Sequence, residues 1–202
     1  MFLGLINIPS LITFLGLILA VFACLTALEG DFALAMVCLM YSGLCDLFDG
    51  LVARKMQLSE QEQAFGMHLD SVVDMASFGM APVIVAVGFG LGDGFFDSVL
   101  LISFVCCAAM RLAYFNLHGL EESGRVAYYS GLPVTFAALI IPVVATSYYF
   151  LALEYFHNLM RVCYVCIALL FVLKVPVPKP QGVFYILFPL ISVLFTFFYL
   201  SQ

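Results

Sequence analysis

Residues 45–54 read Cys45-Asp46-Leu47-Phe48-Asp49-Gly50-Leu51-Val52-Ala53-Arg54, and residues 65–74 read Phe65-Gly66-Met67-His68-Leu69-Asp70-Ser71-Val72-Val73-Asp74. Each is a largely apolar run interrupted by a pair of aspartates, spaced by three residues in the first and by four in the second. On a helix such neighbours share a face. Two helices lying side by side would therefore bring four carboxylates to one place. Ionised acids are costly at membrane depth, and where they cluster they line a cavity, pair with cations or bind metal.

The rest of the chain supports the membrane setting. Of 202 residues, 65% are hydrophobic and only 10% charged, far from the composition of a soluble domain. A bilayer-spanning helix needs about 20 mostly apolar residues, and the apolar runs place such helices at 10–28, 31–53, 66–91, 95–116, 131–153, 157–174 and 182–200. The sixth is short and carries Arg161. The expected fold is all-α, a polytopic transmembrane bundle of about six to seven spans, forming one integral membrane domain over residues 1–202. Breaks are expected at Glu29-Gly30-Asp31, Lys55 to Gln63, Gly92-Asp93-Gly94, His118 to Arg125, Glu154 and Pro176 to Gly182. Pro176, Pro178 and Pro180 predict a stiff, extended connection.

Bases and acids segregate by loop. Arg54, Lys55, Arg125, Lys174 and Lys179 fall on alternate connections of one side. Glu29, Asp31, Asp93, Asp97 and Glu154 fall on the other, with Arg161 its only base. Positive residues mark the cytoplasmic side. Both aspartate pairs are thus expected near the cytoplasmic surface, and Lys174 and Lys179 read as positive-inside anchors. The net charge of −6 implies no soluble partner, because four of the acids belong to the cluster.

Several other functions are disfavoured. The seven cysteines lie in apolar runs, where Cys acts as a small hydrophobe. The Cys163/Cys166 pair sits among Tyr164, Val165 and Ile167, a lipid-embedded context rather than a redox or zinc one. No Lys or Arg precedes Arg54, so the first apolar run reads as a retained helix rather than a secretory signal. Cys24 after Val21-Phe22-Ala23 only faintly resembles a lipoprotein cleavage site. There is no internal repeat and no basic aromatic-rich patch for nucleic acid.

An oxygen-only donor set suits a hard divalent cation such as Mg²⁺ or Mn²⁺. His68 points away from the Asp70/Asp74 face by helical spacing, so zinc is not expected. Two metals among carboxylates suit phosphoryl chemistry, and Arg54 is placed to bind a phosphate beside them. Gly50, Ala53 and Gly66 give the cluster a floor of small residues that lets backbones or a ligand approach closely. Arg54 and Lys55 alone are too few bases to hold four acids in salt bridges.

The run Asp46-x2-Asp49-Gly50-x2-Ala53-Arg54 … Gly66-x3-Asp70-x3-Asp74 resembles the signature of the CDP-alcohol phosphotransferases, membrane enzymes that make phospholipid head-group linkages. All eight signature residues are present. One departure stands out: eleven residues separate Arg54 from Gly66, more than the family's usual spacing, which predicts a longer loop at Gln57 to Gln63. The strings LDSVVDMASFGMAP (69–82) and RLAYFN (111–116), with Gly131-Leu132-Pro133, resemble the phosphatidylserine synthase branch. The resemblance covers about residues 5 to 180 and leaves the last apolar span outside.

The resemblance implies transfer of a phosphatidyl group from CDP-diacylglycerol to L-serine, with CMP released. It assigns Asp46, Asp49, Asp70 and Asp74 to a two-metal site, Asp74 also as general base, and Gly50, Ala53, Arg54 and Gly66 to the cytidine diphosphate. It further implies a homodimer surrounded by membrane lipids. Arg111 is a candidate for the serine carboxylate or a lipid phosphate, against snorkelling to the interface. Asn116, Arg125, Ser71 and Ser77 are weaker candidates, the serines because intrahelical bonding is their commoner role. Glycerol 3-phosphate or an inositol derivative remains open as acceptor, although a phosphorylated acceptor would want more bases. A cation- or proton-coupled transporter would more usually carry acids at the bilayer midplane and paired repeats. An inactive scaffold would not need all eight signature residues.

Overall fold

The computed structural model describes residues 5–118, 121–123, 126–178 and 184–202. Among these residues seven apolar helices carry the fold: α1 Ile8–Glu29, α2 Phe32–Lys55, α3 Glu60–Gly88, α4 Phe95–His118, α5 Val134–Tyr149, α6 Leu153–Val172 and α7 Phe184–Leu200. Five are long and apolar enough to cross a membrane, and α5 and α7 are shorter apolar helices. This is the expected all-α polytopic bundle, and the chain is an integral membrane protein.

Local chemistry explains the ends. Asn7 caps α1 by accepting from the Ser10 amide, and Gly30, with φ of 85°, closes the helix in the left-handed conformation that glycine adopts without steric cost. Asp31 then caps α2. The third helix begins earlier than expected. Ser59 and Glu62 form a reciprocal capping box, which satisfies two of the amides a helix start leaves free. The polar segment expected to be a long loop is therefore mostly helix. Extra helical turns ahead of Gly66, rather than slack chain, take up the added spacing.

Within α3 the residues Met75–Met80 form a π-helical turn, with Pro82, which has no amide to donate, just beyond it. Such wide turns recur at functional sites. The fifth helix starts and finishes in 3-10 turns. The sixth, expected to be short, is a full 20 residues and takes in Glu154, which had been expected in a connection.

One element was not anticipated. Three short antiparallel strands, β1 Glu121–Ser123, β2 Val126–Ser130 and β3 Pro176–Pro178, pair in that order. The extended connection expected from the prolines is the third strand; Lys179 and Pro180 lie outside the described residues. Gly131 follows β2 with φ of 88°, and a Cβ there would lie 3.0 Å from the Leu173 carbonyl. Its amide and that of Leu132 donate to the carbonyls of Val175 and Leu170, so the sheet ties α5 to the end of α6.

Bundle packing relies on small residues, as expected where lipid supplies no hydrophobic drive between helices. Ala20, Ala23, Ala27, Ala35, Ala86 and Ala108 are buried at contacts. A Cβ at Gly88 would lie 2.5 Å from the Ala27 carbonyl, so α1 and α3 cross with backbones nearly touching. Buried Tyr164 and Tyr199 donate to the carbonyls of Pro82 and Pro142, each at 2.5 Å. Leaving such a hydroxyl unpaired would cost about 1–3 kcal/mol.

Candidate active site

Because the helices alternate in direction, α1, α3, α5 and α7 start at the same end of the bundle where α2, α4 and α6 finish. That end gathers residues far apart in sequence. Asp46 and Asp49 come from the last turns of α2, and Asp70 and Asp74 from the facing stretch of α3. One ligand oxygen from each of Asp46, Asp49 and Asp70 lies within 4.8 Å of the others. Asp74 stands outside that trio, buried like Asp49, and lines the same cavity walls as Asp46.

Two threonines hold the carboxylates in place. Thr13 of α1 donates to Asp49 Oδ2 at 2.5 Å, and Thr135 of α5 donates to Asp46 Oδ2 at 2.9 Å. Partners of this kind fix the direction in which a ligating oxygen points. Among the described residues no base forms an ion pair with any of the four aspartates; the ion pair that does form, Arg161 with Asp97 at 2.7 Å, is at the other end of the bundle. Clustered carboxylates with no ion-paired base, braced by hydroxyls, fit a hard divalent cation. The donor set holds no His or Cys, and His68 lies exposed on the helix surface.

Two clefts meet at the cluster. One, of about 440 Å³, lies between the ends of α1, α2 and α3, with Asn7, Ser10, Ala53, Gln63 and Gly66 in its lining. The other, of about 230 Å³, is lined by Asp46, Asp74, Arg111, Phe115, Thr135 and Tyr185 among others. Asp49, Gly50, Arg54 and Asp70 belong to both. A Cβ at Gly66 would meet no protein atom within 4 Å, so protein packing alone does not require a glycine there. An apolar slot of about 90 Å³ between α2, α5 and α7 opens beside Asp46.

Every sequence-derived site residue among the described ones lies at this end. Arg111 is only 4% exposed, which rules out snorkelling. Its Nε donates to the Leu132 carbonyl at 3.1 Å, and its guanidinium lies over Phe115. Ser71 bonds within its helix, to the Met67 carbonyl, and also to Asn116 of α4 at 3.0 Å. Ser77 does not bond within its helix, contrary to expectation: its hydroxyl is buried without a partner. Arg125 lies outside the described residues.

Sequence reasoning missed Thr13, Thr135 and Tyr185. Arg54 Nη2 donates to the Tyr185 hydroxyl at 3.1 Å, so the last helix reaches the site. Thr135 follows Gly131-Leu132-Pro133 closely, and that proximity was the one available hint; Thr13 and Tyr185 share no spacing with the aspartates.

The chain is thus a helical membrane protein with an oxygen-only carboxylate cluster, able to hold a metal ion, that lines two clefts. The family model for CDP-alcohol phosphatidyltransferase matches residues 6–174, and the chain belongs to that family of enzymes. A relative from Saccharomyces cerevisiae, CDP-diacylglycerol–serine O-phosphatidyltransferase, is 38% identical over 49% of this chain and 37% of its own length. The Bacillus subtilis protein of the same name is 28% identical over 70% of this chain and 76% of its own. An archaetidylserine synthase from Methanothermobacter thermautotrophicus is 27% identical over 88% and 72%.

Proposed function

We propose that this chain, as one catalytic domain, transfers a phosphatidyl group from CDP-diacylglycerol to L-serine, giving phosphatidylserine and CMP. The observation that carries this reading is the aspartate cluster standing where two clefts meet. The larger cleft, bordered by Gly50, Ala53, Arg54 and Gly66, takes the cytidine diphosphate part of the donor. Its open face at Gly66 leaves room for a ligand against the backbone. The smaller cleft takes serine, with the buried Arg111 side for its carboxylate, and the apolar slot beside Asp46 accommodates the lipid part. Serine as acceptor is supported by the names of the relatives.

The serine hydroxyl attacks the phosphorus that bears diacylglycerol, the bond from that phosphorus to the CMP oxygen breaks, and Asp74 takes the hydroxyl proton. Asp74's place outside the close trio suits the base role, which needs a carboxylate within hydrogen-bond reach of the acceptor. Asp46, Asp49, Asp70 and Asp74 would hold divalent cations, Mg²⁺ or Mn²⁺ and two in number, which neutralise charge on the pyrophosphate and the leaving group. Thr13 and Thr135 orient the carboxylates, and Arg54 binds phosphate.

The site end faces the cytoplasm of the cell membrane. Among the described residues Arg54, Lys55 and Lys174 lie at that end, while the one Lys or Arg at the other end, Arg161, is paired with Asp97. A homodimer embedded among membrane lipids is the working assembly. The test is incorporation of labelled L-serine, glycerol 3-phosphate or inositol phosphate into organic-extractable lipid by membranes containing the protein. Serine incorporation above control membranes is expected; incorporation of another alcohol alone would move the acceptor assignment, and none at all would bring back the transporter reading.

A further inference from the structure

About one turn deeper in the bundle than the aspartates, between α1, α2 and α3, lies a small space of about 10 Å³ lined by Thr13, Ser42, Asp46, Asp49, Asp74 and Ser77 among others. Ser42 precedes Asp46 by one helical turn on α2, and Ser77 follows Asp74 inside the π turn of α3. Their residues are 1% and 0% exposed, and neither hydroxyl has a hydrogen-bond partner among the described residues.

That state is unusual within this molecule. Other spanning-helix hydroxyls back-bond to a carbonyl one turn earlier: Thr26 to Phe22, Ser71 to Met67, Ser103 to Val99, Ser192 to Phe188 and Thr196 to Ser192. Ser42 and Ser77 forgo that habit and border the same small space as three carboxylates. A buried hydroxyl without a partner carries a desolvation cost. A space of roughly 10–15 Å³ with two to four polar partners holds one water.

We propose that Ser42 and Ser77 form a buried water site that braces the aspartate cluster from deeper in the bundle. One water accepts from both serine hydroxyls and donates to carboxylate oxygens of Asp46 and Asp74, using all four of its hydrogen-bonding positions. Ser42 and Ser77 are then positioning residues: they fix the deeper oxygens so that the others face the clefts. Gly16 on α1 helps to close the space, since a Cβ there would lie 3.1 Å from Cys45 Cβ. This positioning role rests on the metal-binding reading of the aspartates; the water site itself does not.

The sign of a stability change separates a hydrated site from a dry one. In a dry space, Ser42→Ala and Ser77→Ala each delete an orphaned hydroxyl and raise Tm. In a hydrated one, each removes a partner of a buried water and lowers Tm, by about 2–4 °C, measured on detergent-solubilised protein in chelator. The double variant should fall by less than the two single shifts together, because both serines hold one water. A rise or no change in the single variants would overturn the site. Mn²⁺ titration by electron paramagnetic resonance, without substrate, tests the positioning: each serine variant should bind about 10-fold or more weakly. Unchanged Mn²⁺ affinity alongside a lowered Tm would overturn the positioning role. Wild-type protein that binds no Mn²⁺ would instead count against the metal reading, and the sign of the Tm shift would still decide the water.

Discussion

Asp74 differs from the other three aspartates in a way that spacing could not show. It lines the smaller cleft beside Asp46 but falls outside the close trio that the other three form. Substitution Asp74→Asn keeps the shape and removes the base, so turnover should fall by about 10²–10⁴-fold while the detergent-solubilised protein keeps the wild-type melting profile. A folded variant with near-normal turnover would refute the base assignment. Tyr185 makes a different prediction. Its hydroxyl accepts from Arg54, which lines both clefts. Tyr185→Phe should raise KM for CDP-diacylglycerol about 3- to 10-fold, the worth of one ordinary hydrogen bond, with kcat little changed. An equal loss in kcat would place the tyrosine in the chemical step instead. The aspartates were legible because three- and four-residue spacing within a helix is a local property. Thr13, Thr135 and Tyr185 were not, since only the packing of α1, α5 and α7 brings them to the cluster.

At the level of elements, the long helices were readable from apolar runs, and their ends fall within a few residues of expectation except in α3. There the capping box Ser59-x-x-Glu62 was written in the sequence but masked by the polarity of its surroundings. The small sheet carried no signal of its own: three- and five-residue strands are too short to show alternation, and they form because Gly131 anchors the chain to the end of α6. The π turn likewise has no local signature beyond the nearby Pro82. Two glycines of α3 separate packing from binding. Gly88→Val should destabilise the protein by about 3 kcal/mol or more, since its side chain would overlap the α1 backbone, as read by thermal unfolding. Gly66→Ala should leave Tm unchanged, because no protein atom lies within 4 Å of the added Cβ, yet weaken CDP-diacylglycerol binding. A Gly66→Ala protein that melts early but binds normally would reverse the assignment.

Over the whole molecule, alternating helix direction and segregated charge give the bundle a polarity. The link between α2 and α3 lies at the site end, so a cysteine introduced by Gln57→Cys should react with a membrane-impermeant thiol reagent only when the cytoplasmic side is opened. Labelling in intact cells would place the site on the opposite face. The last helix extends this polarity beyond residues 6–174: Tyr199 bonds the Pro142 carbonyl at one end while Tyr185 meets Arg54 at the other. The most direct test of the central claim, that the aspartate cluster at the junction of two clefts moves a phosphatidyl group onto serine, is CMP release by the purified, detergent-solubilised protein. With CDP-diacylglycerol and L-serine, release should require Mn²⁺ or Mg²⁺, stop on chelation, resume when the metal is restored, and be lost in Asp49→Asn. CMP release that is independent of serine and unaffected by chelator or by Asp49→Asn would contradict the account.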